Sequence, residues 1–500
     1  MIKKAVLFFS AILFSVLLLS VPVSAEEAVY AGSVLTVEGF LAPFVLSDGN
    51  ERSCTAAEYG GSVTITREGG ISFLYIVFDR IPGQWTLTDS SGSAQSVCGE
   101  NSYLHEYVDV SSKLGSTPET VRLDFPAGTS IDEIYAFGEG TVPDWVQRWS
   151  PPCEQADLLL LTAHSDDEQL FFAGVLPIYA GERGLSVQVV YFVNHFYSTT
   201  AGEEHFRPHE QLDGLWAVGV RNYPVMSDFP DLYSESLEEA LAAYREFGFE
   251  YDDFTQFVTG ILRRFKPLVV VSHDVDGEYG HGTHRLCAAA LMDSVSLSAD
   301  ESSFPESAEL YGTWEPEKTY FHLYPEHPIT LDLDSPLPSF GGRTAFEVAQ
   351  DGFDQHTSQH WTWFYGWIYG ENNQTITLAT DIEAFSPCYY GLYSTSVGYD
   401  TVGGDLMENV VPYAERNAVD QPPDNSDPAG GETDTIKSTE APLPSLPPDP
   451  PEPSPPPERE TAGHLLPVAT ALAAAAVVIC VIAVWPKKGE RDFTGGTDEE

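Results

Sequence analysis

Short runs of alternating apolar and polar residues fill the chain between residue 26 and about residue 150. Examples are "GSVTITREG", "SFLYIVFDR" and "ETVRLDF", and turn-forming stretches such as "SDGN", "IPGQ" and "SSGS" lie between such runs. A two-residue period bounded by turns is typical of short antiparallel strands. The pattern therefore predicts an antiparallel β-sandwich domain at residues 26–150. Its aromatic residues, Tyr75, Trp85 and Tyr103 among them, are either core residues or a face that stacks on sugars.

The pattern changes at Ala156, where continuous apolar runs replace the alternating ones. The runs "DLLLLTAH", "VQVVYFVN" and "PLVVVSH" are separated by stretches with helical periodicity. Apolar strands with helices between them predict a mostly parallel, Rossmann-like α/β sheet with helices on both faces. We assign this domain, with a C-terminal extension, to residues 151–415. In such sheets, sites form beyond the carboxyl ends of the strands, where His164 and His273 are predicted to lie.

Both ends of the chain carry patterns typical of membrane proteins. Residues 1–25 combine two lysines with an apolar stretch and a V-S-A site, which predicts a secretory signal peptide. Residues 463–485 are apolar enough for a transmembrane helix, and the basic residues within 486–500 predict a cytoplasmic tail. Residues 416–462 are rich in proline and predict a disordered stalk. We therefore expect a single-pass protein of the cell membrane with its folded domains outside the cell.

Charge and cysteine content exclude two classes of protein. The chain carries 75 acidic and 24 basic residues, a formal net charge of −51. This charge repels phosphate backbones and excludes nucleic acid as a partner. Six cysteines in 500 residues are too few for a disulfide scaffold. Cys54 and Cys98 lie in one segment, and the sequence leaves open whether they form a disulfide.

The stretch "LLLLTAHSDDEQLFFAG" leads an apolar strand directly into a group of polar residues. One interpretation is purely structural, because Ser165 and Glu168 have the spacing of a capping box at a helix start. The other is chemical, because His164, Asp166 and Asp167 follow a strand of the predicted parallel sheet. A second motif favours the chemical interpretation.

The second motif, "DVDGEYGHGTHRLCAAALM", follows the apolar run "PLVVVSH". His281 and His284 are three residues apart at the start of a predicted helix and therefore share one of its faces. Such a pair alone is weak evidence for a metal site. Together with "AHSDDE" at the end of another strand, it predicts an open site for Zn²⁺ or another divalent cation. Neutral imidazoles and a carboxylate suit such a site, which leaves one position for water.

The succession of "AHSDDE", "RPHEQLDGLWAVGV" and "GEYGHGTH" resembles the PIG-L or LmbE-like family of zinc-dependent de-N-acetylases. The resemblance spans about residues 155–295 and continues more loosely to "YYGLYSTSVGYD". It rests on the signature A-H-x-D-D-E, the R-x-x-E of a middle helix and the H-x-x-H pair. One departure is that Gly282 and Thr283 replace the middle of the family's usual H-P-D-H, so the aspartate beside His281 is absent.

The family's roles, carried over position by position, imply a metal site with catalytic groups around it. The implied metal ligands are His164, Asp167 and His284. The implied reacting groups are Asp166 as general base, His281 as acid and Tyr279 as oxyanion stabiliser, with Arg207 beside the substrate. Amide hydrolysis needs such groups, because a metal activates water, a carboxylate that is not a ligand takes its proton, and the leaving amine needs a proton.

The resemblance implies a zinc-dependent hydrolase that removes N-acetyl groups from N-acetylglucosamine-type amino sugars or glycoconjugates, here at the cell surface. The alternative is a catalytically silent glycan-binding surface protein, which the absent aspartate keeps open. Retention of every implied ligand and of Asp166 favours the enzyme. His356 and His360 also have metal-ligand spacing, but no carboxylate motif accompanies them. We interpret this pair as helix-packing or substrate-rim residues.

Overall fold

The computed structural model describes residues 33–100, 103–197, 203–371 and 375–419. The predicted signal peptide, the transmembrane segment at 463–485, the tail at 486–500 and the stalk beyond residue 419 lie outside the described residues. Within the described ranges, no helix is both long enough and apolar enough to cross a bilayer. The prediction of a membrane-anchored protein with an extracellular location is corrected accordingly, since the described residues contain no membrane-spanning helix.

Two antiparallel sheets form the N-terminal part of the chain. Their strands are β1 (Val34–Glu38), β2 (Thr55–Ala57), β3 (Gly61–Thr66), β4 (Phe73–Phe78), β5 (Trp85–Asp89), β6 (Gln95–Cys98), β7 (His105–Asp109), β8 (Thr120–Phe125) and β9 (Thr129–Phe137). Helix α1 (Val110–Leu114) lies between β7 and β8. One sheet has the strand order β1-β3-β8-β5-β6 and the other has the order β2-β9-β4-β7. The predicted antiparallel, β-rich character of this part is confirmed.

Tyr75, Trp85 and Cys98 of this part are buried, whereas Cys54 is exposed. Leu123 of β8 and Ile76 of β4, which come from different sheets, belong to one apolar cluster. Tyr75 and Trp85 are only 1% and 2% exposed, so neither can stack on a sugar. Cys54 and Cys98 are free cysteines, which answers the disulfide question left open by the sequence.

A seven-stranded sheet forms the centre of the α/β part. Its strands are β10 (Leu158–Thr162), β11 (Val187–Tyr191), β12 (Val225–Met226), β13 (Val269–Ser272), β14 (Lys318–His322), β15 (Pro328–Thr330) and β18 (Tyr389–Thr395). A separate small pair comprises β16 (Pro336–Leu337) and β17 (Arg343–Thr344). The order is β12-β11-β10-β13-β14-β18-β15. The first five strands are parallel, whereas β18 is antiparallel to both of its neighbours. The prediction of a mostly parallel sheet is confirmed.

Helices cover both faces of this sheet. They are α2 (Asp167–Leu170), α3 (Arg207–Ala217), α4 (Leu237–Glu246), α5 (Tyr251–Phe265), α6 (Gly282–Ala299), α7 (Pro305–Tyr311), α8 (Ala345–Gln355), α9 (Trp363–Tyr369) and α10 (Tyr413–Val419). Successive residues of β10 point to opposite faces. Leu158 and Leu160 therefore pack in one apolar cluster with residues of α3 and α8, and Leu159 and Leu161 pack in another with residues of α4, α5 and α6.

The N-terminal sheets contact the α/β part directly. The Tyr223 hydroxyl donates a hydrogen bond to the His105 carbonyl oxygen at 2.6 Å. Leu104 of the N-terminal part packs in one cluster with Leu212 of α3 and Tyr223. These contacts bring the N-terminal part against α3, the helix that also carries Arg207.

Candidate active site

The first motif forms a strained turn between β10 and α2. Asp166 has φ 146° and ψ −28°, a backbone conformation that residues other than glycine rarely adopt. Two hydrogen bonds hold the turn: the Asp166 N–H donates to Glu168 Oε2 at 2.9 Å, and Arg207 Nη2 donates to the Ser165 carbonyl oxygen at 2.9 Å. The capping-box interpretation is wrong, because α2 has no side-chain cap and Ser165 Oγ bonds to none of the described residues.

Three donor atoms from the two motifs converge at the carboxyl ends of β10 and β13. His164 Nδ1 lies 3.1 Å from Asp167 Oδ2 and 3.1 Å from His284 Nε2. His284 Nε2 lies 3.3 Å from Asp167 Oδ2. Tetrahedral Zn²⁺ with bonds of ~2.0–2.1 Å separates its ligand atoms by about 3.3 Å. The spacing and the chemistry of these donors therefore fit a divalent cation.

Glu278 lies behind this triangle of donors and was missed by the sequence analysis. Its carboxylate is 2.7 Å from His284 Nδ1, 2.8 Å from His273 Nδ1 and 2.7 Å from His322 Nδ1. Burial opposes the charge on Glu278, but the surrounding imidazoles hold its pKa well below the usual value. A carboxylate on the far nitrogen of a metal-ligating histidine fixes the ring's tautomer and orientation. His273 is held by the same carboxylate, and its Nε2 accepts the Ala163 N–H at 2.8 Å.

Asp166 lies beside the donor triangle but outside it. Asp166 lines a cavity of about 320 Å³ together with His164 and Asp167, two of the three converging side chains. Burial raises the pKa of the Asp166 carboxyl to about 7, against the lowering effect of Arg207. Arg207 Nη2 lies 3.9 Å from Asp166 Oδ1. Arg207 therefore holds the backbone of the Asp166 turn and favours the charged form of its carboxyl, and it also lines the cavity.

Tyr279 and His281 line the same cavity. Tyr279 has φ 45° and packs its ring 5.5 Å from the ring of His281. The Thr283 N–H donates to His281 Nδ1 at 3.2 Å, which leaves the His281 proton on Nε2. Burial lowers the pKa of His281, so the ring is neutral. The backbone of Thr283 thus orients His281 in place of the absent aspartate.

Several further cavity residues come from loops and short helices that carry no motif. The cavity-lining residues that the sequence analysis missed are Asp231, Tyr233, Gln359, Trp361 and Phe364. Asp231 Oδ1 lies 3.5 Å from His164 Nε2, on the side of that ring away from the donor triangle. No periodicity or spacing marks these positions, because their role depends on how the loops fold back over the sheet.

His356 and His360 do not converge on a common point. His356 is buried, with Nε2 3.4 Å from Glu168 Oε1. His360 Nε2 lies 3.3 Å from the Phe353 carbonyl oxygen. The geometry agrees with packing roles for both rings.

Comparison with known proteins bears out the resemblance. Residues 159–295 match the family model described as PIG-L, GlcNAc-PI de-N-acetylase. A 1D-myo-inositol 2-acetamido-2-deoxy-alpha-D-glucopyranoside deacetylase 1 of Catenulispora acidiphila is 25% identical over 53% of this chain and 86% of its own length. A deacetylase 2 with the same substrate in its name, from Saccharopolyspora erythraea, is 38% identical over 33% of this chain and 65% of its own.

Among solved structures, an N,N'-diacetylchitobiose deacetylase from Pyrococcus horikoshii covers 53% of this chain and 90% of its own, with 14% identity and a TM-score of 0.34. The family match and the sequence relatives, together with the site, define a hydrolytic N-deacetylase. The domain at residues 159–295 is a PIG-L family domain.

Proposed function

We propose that this protein is a zinc-dependent N-deacetylase that hydrolyses the acetamide of N-acetylglucosamine-type amino sugars or glycoconjugates. The observation that carries the proposal is the triangle of His164, Asp167 and His284 donors, 3.1–3.3 Å apart, with Asp166 beside it in a cavity that His164 and Asp167 also line. The names of the sequence relatives support the substrate class, because they specify an acetamido sugar.

His164, Asp167 and His284 are the proposed metal ligands. Two imidazoles and one carboxylate are a donor set that open catalytic Zn²⁺ sites use, although other divalent cations accept it too. A bound cation would supply Lewis acidity, which polarises an amide carbonyl and acidifies water. Glu278 keeps His284 in the tautomer whose Nε2 is free to bind it.

Asp166 is the proposed general base, because its carboxylate faces the cavity without belonging to the donor triangle. Arg207 holds that carboxylate in place and is the proposed contact to the substrate. A positioned carboxylate that takes the proton of the attacking water contributes about 10²–10⁴-fold to the rate. The strained backbone at Asp166 supports this role, since strain of this kind gathers at functional sites.

His281 and Tyr279 are the proposed partners of the reacting amide. His281 and Tyr279 line the same cavity, where the neutral His281 ring can donate its Nε2–H, and Tyr279 its hydroxyl, in hydrogen bonds to the developing oxyanion. The proton that Asp166 takes from the attacking water is the one available to the leaving amine. A catalytically silent glycan-binding protein would need neither these groups nor Asp166.

The domain boundaries remain proposals as well. We infer a β-sandwich at residues 26–150, supported by the apolar cluster to which both N-terminal sheets contribute. The α/β domain is proposed to span residues 151–415, supported by the pairing of β18 with β14 in the central sheet.

Acetate release tests the function directly. Purified protein is incubated with N-acetylglucosamine and with N-acetylglucosamine glycosides, before and after treatment with a chelator and after Zn²⁺ is restored. We expect release that the chelator abolishes and Zn²⁺ recovers. Release that survives complete metal removal, or its absence from every acetamido sugar, would overturn the proposal.

A further inference from the structure

Two strongly exposed aromatic rings lie at the mouth of the active-site cavity. Trp361 is 84% exposed and Tyr233 is 71% exposed, and both line the same cavity as Asp166 and Asp167. Exposing large aromatic surface to water is unfavourable, and such groups beside a polar site mark binding surfaces. Neither ring is needed for the chemistry of the proposed function.

Hydrogen bonds fasten the loop that carries Trp361. The buried carboxylate of Glu210, on α3, accepts the Thr357 hydroxyl at 2.7 Å, the Ser358 N–H at 2.9 Å and the Ser358 hydroxyl at 2.5 Å. Directly after Trp361, the Thr362 side chain accepts the Phe364 N–H and caps α9. Trp361 is therefore exposed on a segment that is fixed on both sides.

The loop that carries Tyr233 is fastened to the start of α6. The Leu232 carbonyl oxygen accepts the Thr283 hydroxyl at 3.1 Å, and the Ser234 carbonyl oxygen accepts the Gly282 N–H at 2.9 Å. The residues that replace the family's usual Pro-Asp pair thus hold Tyr233 in place. Two rings held ready at one cavity mouth reduce the entropy cost of binding.

The size of the cavity indicates what these rings contact. At about 320 Å³ it lies at the lower end of the range for ligand pockets, roughly 300–1,000 Å³. One sugar ring with its acetamide occupies much of such a space, so a second ring must lie over the mouth. Exposed rings next to Gln359 and Asp231 suit a pyranose, which has apolar C–H faces and polar edges. A lipid chain would require an aliphatic groove instead.

We propose that Trp361 and Tyr233 form an outer sugar subsite, which makes an oligosaccharide or glycoside a better substrate than a free N-acetylated monosaccharide. This inference rests on the proposed function, because the inner ring must present its acetamide to the donor triangle. Thr283 is a positioning residue for the subsite, since it acts through the Tyr233 loop.

Steady-state kinetics with two substrates test the subsite. The substrates are N-acetylglucosamine and the linear β-1,4-linked trisaccharide of N-acetylglucosamine. The wild type is expected to have the higher kcat/KM for the trisaccharide. Trp361→Ala and Tyr233→Ala should each lower the ratio of kcat/KM for trisaccharide over monosaccharide by about tenfold. Thr283→Val should lower the same ratio and Thr283→Ser should restore it, because only serine keeps the hydroxyl. Tyr59→Ala, at an equally exposed aromatic position in the N-terminal part, is the matched control.

Three results would overturn the subsite. In the first, Trp361→Ala and Tyr233→Ala lower kcat/KM for the two substrates in equal proportion. In the others, Tyr59→Ala lowers the ratio of kcat/KM as much as they do, or the wild type has the higher kcat/KM for the monosaccharide. A preference for longer N-acyl groups that Trp361→Ala removes would mark an acyl site and also overturn the subsite.

Calorimetric titration of the trisaccharide into the Asp166→Asn variant, with and without Trp361→Ala, measures binding independently of turnover. About tenfold weaker binding in the double variant supports the subsite even if no acetate is released, and unchanged binding contradicts it.

Discussion

Two groups of histidines and carboxyls in this protein contain the same residue types, but the pKa values of their carboxyls shift in opposite directions. The metal-centre cluster comprises His164, Asp167, Glu278 and His284. The joint cluster, where the N-terminal sheets meet α3, comprises Glu51, Asp132, His209 and Asp213. In the metal-centre cluster, burial opposes ionisation, yet imidazoles hold the pKa values of both carboxyls well below their usual range. In the joint cluster, burial prevails and raises the pKa of Glu51 to about 7 and that of Asp132 to about 6.

The difference follows from how many imidazoles face each carboxyl group. Glu278 contacts three histidine rings, whereas Asp132 lies 3.2 Å from the ring of His209 and has the carboxyl of Asp79 nearby, which raises its pKa. Carboxyls surrounded by imidazoles stay ionised and can hold a cation in place, whereas carboxyls that mainly face each other bind protons. In this protein, the buried acids that imidazoles keep charged and oriented are those of the proposed metal site.

The largest expected effects separate the two adjacent acids of the first motif. Asp167→Asn and His284→Ala should lose bound metal, because they remove a donor of the triangle. Asp166→Asn should keep its metal while kcat falls about 10²–10⁴-fold, because the base is not a ligand. Elemental analysis and acetate release on the same preparations check both points. Equal metal content in all variants would refute the ligand assignment, and an active Asp166→Asn would refute the base.

A smaller effect is expected behind the metal centre. Glu278→Gln should weaken metal affinity by about 10–100-fold, because the amide cannot support three imidazoles as a carboxylate does. Competition with a chromophoric chelator measures the affinity.

Cys54→Ser is the matched control, since Cys54, Asp79 and His205 are close enough to hold a metal. His205 Nδ1 lies 2.6 Å from Asp79 Oδ1, a direct hydrogen bond that leaves no room for a cation between them. We expect this control to keep the wild-type metal content. Unchanged affinity in Glu278→Gln would mean that the ligands hold their orientation without it.

The smallest expected effect concerns the joint cluster and pH. In the folded protein Glu51 keeps its proton to about pH 7, whereas in the unfolded chain it loses it near its ordinary value of 4.5. The unfolded state therefore binds fewer protons in this window, and stability falls as pH rises from about 4.5 to about 7. The double variant Glu51→Gln, Asp132→Asn should reduce this slope, with a melting temperature that falls roughly 2–4 °C less than that of the wild type. Part of the slope remains, because the pKa of Asp166 is also raised to about 7. If the melting temperatures of the wild type and the double variant fall equally with pH across this window, the joint cluster is not the source of the pH dependence.

The fold was largely predictable because its two parts have different hydrophobic periods. The two-residue period of "GSVTITREG" became β3, and the apolar runs became β10, β11 and β13. The helix expected after "AHSDDE" is shorter than the pattern suggested, because α2 ends at Leu170. A separate π-helical segment begins at Pro177, which has no backbone N–H to donate. The order of strands was not predictable, because antiparallel β18 enters the sheet from residues far along the chain.

The site was predictable only where its residues follow strands. His164, Asp167 and His284 come from segments after β10 and β13, which are neighbours in the sheet, so their motifs had to meet. Glu278 gave no such signal, because residue spacing does not show that its side chain turns back to reach His273 and His284 as well as the distant His322. Tyr233 and Trp361 depend on loop closure, which residue spacing does not encode.

The backbone at Asp166 has a consequence for anyone who selects variants of this protein. With φ at 146°, this position favours glycine, so Asp166→Gly should relieve strain and raise the melting temperature. The same change removes the proposed base. A library screened for thermal resistance alone would therefore enrich inactive proteins at this position, and only a screen that also demands turnover would keep the aspartate.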